Sequence, residues 1–251
     1  LPLSHSHLIV GPPGTGKTVL AIYRAEMFKR AGQSTRFIVY NRTLKQYLVQ
    51  ATSAKEMNSH TATFHSWFCK WYWDIFHRYA PQTEPYCFDW LTIWQQLGKA
   101  AAKISSRRLD HLVLDEAQDF PRQAFVVLGQ TAKNLTVFAD ENQRITDQHS
   151  TVEEIRTALG LDGVSKLTRN YRNSRPIAEF AAQFYTGLPT GIPDFPDRKG
   201  RKPVIMKTGD DIGLEAGVVA AYVKTRPSHN IGVLLPRTRQ QLRFIKAMDR
   251  A

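Results

Sequence analysis

Two short stretches of this chain hold side chains whose types and spacing suit chemistry. The first runs from Gly11 through Pro12, Pro13, Gly14, Thr15, Gly16 and Lys17 to Thr18, and reads GPPGTGKT. It matches the phosphate-binding loop pattern in full. Its glycines let backbone N–H groups turn inward around phosphate oxygens, and a following helix would add the positive end of its dipole. In such a loop Lys17 would reach the β- and γ-phosphates, and the Thr18 hydroxyl would ligate Mg²⁺. The second stretch, HLVLDEAQDF (111–120), is an apolar run that ends in Asp115, Glu116, Gln118 and Asp119. Carboxylates crowded at a strand end repel one another, so a cation is expected among them. With a phosphate loop beside it, Asp115 would hold that metal, and Glu116 would accept a proton from the attacking water.

These residues need a frame. HLIV (7–10) reads as a buried strand before the loop, and the amphipathic run after it ends near Arg30 and Gly32. TRFIVY (35–40) is strand-like, 42–55 helical, HTAT a short strand, and 64 to about 105 an aromatic-rich helical region. The acidic strand follows, then a helix begun by Pro121, the strand LTVFA (135–139), and STVEEIRTALG (150–160). This last segment is read as a helix with a capping box of Ser150 and Glu153 and a closing Gly160. The repeated β-α order predicts an α/β fold, a parallel sheet flanked by helices. A loop rich in proline, glycine and basic residues (186–203) interrupts the order, which resumes with strands at 203–207 and 231–236, each followed by a helix. Two strands and two helices are few for a free-standing domain, so they read as the start of a second one.

Bulk properties narrow the function. The 251 residues are 42% hydrophobic and 22% charged, as in ordinary globular proteins, with a formal net charge of +12. That charge fits either a polyanionic partner, most often nucleic acid, or a merely soluble basic surface. With two cysteines, Cys69 and Cys87, no disulfide framework is indicated, and a reducing compartment such as the cytoplasm fits best. No apolar stretch is long enough for a membrane span. The opening LPLSHSHLIVG lacks both a methionine and a signal-peptide pattern, and reads as a trimmed product.

The order of motifs resembles that of the UvrD/Rep-like helicases of superfamily 1. GPPGTGKT is similar to their motif I, VYNRTLKQYL (39–48) to motif Ia, TFHSW (63–67) to the next DNA-contacting motif, and VLDEAQDF to motif II. FADENQRI (138–145) resembles motif III and LTRNYRNSRPI (167–177) motif IV. The resemblance implies a RecA-like P-loop NTPase domain over 1–165, with the helical insertion at 64–105, and the beginning of a second RecA-like domain over 166–251. ATP and Mg²⁺ are the implied cofactors, held in a cleft with Lys17, Thr18, Asp115 and Glu116 on one wall and Arg172 on the other. Gln143 would sense the γ-phosphate, Tyr171 would stack on the adenine, Arg172 would reach the γ-phosphate, and Arg42 would join the nucleotide set. Thr63, Phe64 and His65 would contact single-stranded DNA, with RNA a second candidate, and movement would run 3′ to 5′. The chain departs from the family in having Ala139 before Asp140, no aromatic residue soon after Gln143, and no large accessory domain. Motifs V and VI do not occur before Ala251, so the remainder of a second motor domain is an expected partner.

Several features carry two readings. All five tryptophans fall between Trp67 and Trp94. They could stack on bases or, more commonly, form the core of a small helical subdomain, with Phe64 set apart as a nucleic-acid contact. Arg198, Lys199, Arg201 and Lys202 could touch phosphates or form a solvated loop. His65, Cys69, His77 and Cys87 fit no standard zinc spacing. For the whole protein, a nucleotide-switched binding module that does not unwind and a small-molecule phosphotransferase are the alternatives to a motor.

Overall fold

Short apolar, β-branched runs form a six-stranded sheet in the structure, a computed structural model that describes residues 2, 4–40, 45–46, 60–143, 150–209, 211–235 and 237–250. The strands are β1 (His7–Val10), β2 (Thr35–Val39), β3 (Thr61–Thr63), β6 (Leu109–Leu114), β7 (Ala132–Ala139) and β8 (Val164–Lys166), in the order β3-β2-β6-β7-β1-β8. Every pairing is parallel. Leu8, Val10, Leu112, Leu114, Val137 and Ala139 face one side, where α2 (Phe64–Phe76) and α5 (Arg122–Thr131) pack. Ile9, Val113 and Phe138 face the other, covered by Ala21, Ala25 and Phe28 of α1 (Lys17–Arg30). Burial on both faces is why these strands read as unbroken apolar runs. One strand, β7, separates the phosphate-loop strand β1 from the acidic strand β6, the arrangement of a RecA-like P-loop fold.

Thr63 caps α2 by accepting a hydrogen bond from Ser66 N at 3.4 Å, and Phe64, Trp67, Phe68, Tyr72 and Ile75 recur at helical spacing on its buried face. The expected helical insertion also holds a small antiparallel hairpin, β4 (Gln82–Glu84) with β5 (Cys87–Phe88), before α3 (Trp90–Lys99) and α4 (Ala101–Ser105). Trp67 lies in the core, whereas Trp73 and Trp94 are exposed, so the tryptophans divide between the two sequence readings. The helix expected at 42–55 falls almost wholly outside the described residues.

The capping box of α6 (Val152–Leu159) differs from expectation by one residue. Thr151 and Glu154 form it, and Gly160 closes the helix at φ 61°. Ser150 is fully buried and used elsewhere: its N donates to Gln118 O at 2.9 Å and its Oγ to Phe120 O at 2.7 Å. A tertiary demand on Ser150 hands the cap to the next hydroxyl.

The chain divides into two compact units, Leu1–Lys202 and Pro203–Ala251. The first includes β8 and α7 (Arg175–Ala182). In the second, α8 (Ile212–Lys224), capped by Asp211, packs on α9 (Gln241–Met248) through Ala216, Ala220 and Phe244. The segments expected as strands at 203–207 and 231–235 are not strands. A strand exists only through a ladder partner, and among the described residues neither segment has one; Val204 is 86% and Leu234 98% exposed.

A buried polar cluster lies within the α1 layer. His111 is fully buried, stacks on Phe28 with centroids 3.5 Å apart, and shares a hydrogen bond of 2.8 Å between Nε2 and Thr136 Oγ1. Burial first, and then the charges of Arg24 and His7, push its pKa from 6.5 down to about 3. The unfolded chain therefore takes up a proton below about pH 6.5 that the folded chain refuses, so stability falls as pH drops through that window. His111→Gln keeps a hydrogen-bonding group without the titration. Between pH 7 and pH 5 it is expected to lose roughly 2 kcal/mol less stability than the parent chain, readable from urea unfolding at the two pH values. Equal losses would remove His111 as the cause.

Candidate nucleotide site

The ends of β1, β6, β7 and β8 converge on the phosphate loop. Gly14 and Gly16 sit at φ 86° and 87°, a left-handed conformation that side chains disfavour. Gly14 is also hemmed in, since a Cβ there would lie 2.5 Å from Asn170 Oδ1. Gly16 opens directly into α1, so the helix N-terminus faces the loop.

Lys17 is buried and folded onto its own loop. Its Nζ donates to Gly11 O at 2.6 Å, to Pro12 O at 3.2 Å and to Asp140 Oδ2 at 3.2 Å. Asp140, at the end of β7, also accepts from Gln143 Nε2 at 2.6 Å through the same oxygen, while its Oδ1 takes Asn142 N at 3.0 Å. The acidic partner of Lys17 is thus Asp140, because β7 stands between β1 and β6, while Asp115 of β6 lies near Thr18 of the loop. The pairing of Asp140 with Lys17 spans 123 positions and leaves no local signal in the sequence.

Asp115 ends β6 fully buried, and neither carboxylate oxygen accepts a hydrogen bond of normal geometry. Burial, and then the neighbouring Glu116 charge, raise its pKa to about 7, opposed by the nearby Thr18 hydroxyl and Lys17. A buried, unpartnered carboxylate facing a threonine hydroxyl offers hard oxygen ligands to Mg²⁺, so the residues fit that ion. Glu116 follows in a left-handed conformation, φ 52° and ψ 44°, uncommon for a residue with a side chain. Gln118 Nε2 donates to Glu116 Oε2 at 2.7 Å, and Gln118 Oε1 accepts from Asp140 N at 2.9 Å. Gln118 therefore ties the two acidic strand ends together.

Asn170, almost fully buried, accepts from Arg172 N and Asn173 N through Oδ1, both at 3.0 Å. Tyr171 N donates to Gly14 O at 2.8 Å. The turn carrying Tyr171 and Arg172 is thereby fastened to the phosphate loop within the first unit, not on a facing wall, and both side chains are exposed. A Cβ on Gly14 would lie 3.2 Å from Arg172 Cβ, which places the arginine at the loop. Arg169 covers the Tyr171 ring at 5.4 Å.

The three residues expected on nucleic acid are placed otherwise. Phe64 is 5% exposed and stacked on Phe120 at 5.0 Å and Phe68 at 5.8 Å, leaving no ring face for a base. Thr63 is the buried cap of α2, and His65 stacks on Phe88 at 5.0 Å. Phe64 and Thr63 are thus committed inside the fold, whereas His65 is half-buried. Arg42 lies outside the described residues, as does the chain immediately after Gln143.

Residues 3–148, more than half of the chain, match a family model described as an AAA domain. No curated protein matches the chain. Among solved structures, it is similar to a crystal structure of the Pyrococcus furiosus Hef helicase domain, at 18% identity and a TM-score of 0.36, over 65% of this chain and 35% of that one. The chain thus spans about a third of the length of that solved protein, and so low a score adds nothing to the topology above. The extent of the family match, on a sheet whose strand ends assemble a phosphate loop, means that the chain belongs to the AAA domain family, built on a P-loop nucleotide-binding fold.

Proposed function

We propose that the protein is an ATP-dependent translocase or helicase of the UvrD-like type, acting on single-stranded nucleic acid, with DNA and 3′-to-5′ movement the expected case. The observation that carries this reading is the network joining Lys17, Asp140, Gln143, Gln118 and Glu116 across three strand ends. A shift of any one of these groups is felt by the others, which suits a site that couples phosphate chemistry to motion.

Thr18 and Asp115 would hold Mg²⁺, which when bound would neutralise charge on the phosphates. Lys17 leaves the carbonyls of Gly11 and Pro12 for the β/γ-phosphates, because a charged acceptor binds an ammonium more strongly than neutral carbonyls do. Glu116, steadied by Gln118, takes the proton of the attacking water. Gln143 reports the state of the γ-phosphate to Asp140, and Arg172 stabilises charge developing on that group. The burial of Thr63 and Phe64 favours a second reading, a nucleic-acid-binding ATPase that switches without unwinding.

Lys17→Ala tests the nucleotide assignment. It is expected to abolish tight ATP binding, measured by titration with a fluorescent ATP analogue, and with it any stimulation of hydrolysis by single-stranded DNA. The change also leaves buried Asp140 without its cation, so thermal unfolding of the variant separates a lost ligand contact from a lost fold. Unchanged nucleotide affinity would remove Lys17 from the site. A parent chain that hydrolyses ATP with no response to single-stranded DNA would sink the motor reading.

A further inference from the structure

The burial of Phe64 and Thr63 raises the question of where a nucleic-acid strand meets this unit. An open groove of about 740 Å³ lies between the end of α2 and the helices α3 and α4. His77, Arg78, Gln95, Gln96, Lys99 and Lys103 contribute to its wall, and no carboxylate does. Lys103 is committed to Ile75 O, and Arg107 nearby donates to Asp74 O at 2.6 Å, so these two cap the carbonyl end of α2. Arg78 and Lys99 are exposed and, among the described residues, form no ion pair with a carboxylate. Their positive charge faces solvent.

An aromatic pair stands at the same helix end. His77 takes a left-handed conformation at φ 54° and reverses the chain, so that Tyr79 returns onto Trp73 with centroids 5.0 Å apart. Tyr79 is 83% and Trp73 44% exposed, in contrast to the buried Trp67, Phe68 and Tyr72 of the same helix. Arg78 lies over the Phe76 ring at 5.8 Å yet stays exposed. Large aromatic faces left in water beside cations without carboxylate partners combine the two elements by which proteins hold unpaired strands: a basic groove for phosphates and rings for bases. A duplex keeps its base faces stacked inside, so only an unpaired base can reach Tyr79.

We propose that this groove is a single-strand nucleic-acid site, with Arg78 and Lys99 on consecutive phosphates and Tyr79, tilted 49° against Trp73, stacked under an adjoining base. It rests on the reading of the protein as one that acts on nucleic acid, and it names a surface for that contact. The groove belongs to the rim where β6 and β7 begin, since Arg108, just before β6, donates to Ala132 O at the start of β7. The phosphate loop lies at the opposite strand ends. A strand in the groove therefore makes no direct contact with the nucleotide.

The test titrates a fluorescein-labelled oligothymidylate of about 12 nucleotides with the 251-residue chain at several salt concentrations, with and without ATP. Arg78→Glu combined with Lys99→Glu is expected to weaken binding at least tenfold. It should also reduce the log–log salt slope by about 1.4, the share of two phosphates on a single strand. Tyr79→Ala should weaken binding about tenfold with the slope retained, and Trp73 emission in the parent should be quenched by the oligonucleotide. Unaltered thermal unfolding and unaltered affinity for an ATP analogue show that the variants are folded. Parent-like affinity and slope in the charge-reversed variant would overturn the groove while leaving nucleic-acid-stimulated ATP hydrolysis intact. A parent chain that binds no oligonucleotide, and whose ATPase ignores single-stranded DNA, would overturn the groove together with the reading beneath it. A loss confined to duplex binding would overturn the single-strand assignment.

Discussion

Glu116→Gln is expected to bind Mg·ATP as the parent does and to hydrolyse it about 10²- to 10⁴-fold more slowly, the usual consequence of removing a general base. The site is arranged so that the substitution isolates basicity. Gln118 Nε2 already donates to Glu116 Oε2 at 2.7 Å, and a glutamine carbonyl at 116 offers the same acceptor. The left-handed backbone at φ 52° is inherited unchanged, because both side chains bear the same branching at Cβ. The fold, the link to Asp140 and the Asp115–Thr18 pair are retained, and only proton uptake is lost. Single-turnover hydrolysis beside an ATP-analogue titration provides the measurement. Near-normal turnover would place the base elsewhere, and Asp119, in the same turn, is the next carboxylate to replace.

Arg172→Ala is expected to cost about 10³- to 10⁵-fold in turnover, the range of an arginine delivered to a transferring phosphoryl group. The backbone supports this role. Asn170 Oδ1 holds Arg172 N and Asn173 N at 3.0 Å, and Tyr171 N is bound to Gly14 O at 2.8 Å, so the turn moves with the phosphate loop. The guanidinium is exposed and needs only to extend toward the γ-phosphate. Nucleotide affinity should change far less than turnover, because the charge it stabilises develops during transfer. Arg172→Lys should recover only part of the rate, since an ammonium cannot reproduce a planar, two-pronged contact. Turnover of the alanine variant within tenfold of the parent would show that Arg172 merely shapes the turn.

The sequence by itself determined whatever depends on neighbouring positions. The phosphate loop was legible because its eight residues act together through local backbone geometry, which glycine spacing dictates. The parallel α/β frame was legible because strands buried on both faces must be apolar throughout, and α1 because its last turn and Gly32 mark a helix end. Asp115 and Glu116 could be named as candidates because they close an apolar strand in a chain that also carries a complete phosphate loop. The tertiary structure alone decided which of these groups meet. It placed β7 between β1 and β6, so that Lys17 pairs with Asp140, and it made Gln118 the tie between the acidic ends. It spent Phe64 and Thr63 on core and capping contacts and set half-buried His65 against Phe88, although their motif suggested nucleic acid, because residues at the start of a helix leaving the sheet lie under the aromatic layer. It also moved the α6 cap from Ser150 to Thr151, as Phe120 O claimed the serine hydroxyl. The strands expected at 203–207 and 231–235 failed for a related reason: an apolar run specifies a willingness to pair, while a strand requires a partner, and partners are chosen in three dimensions.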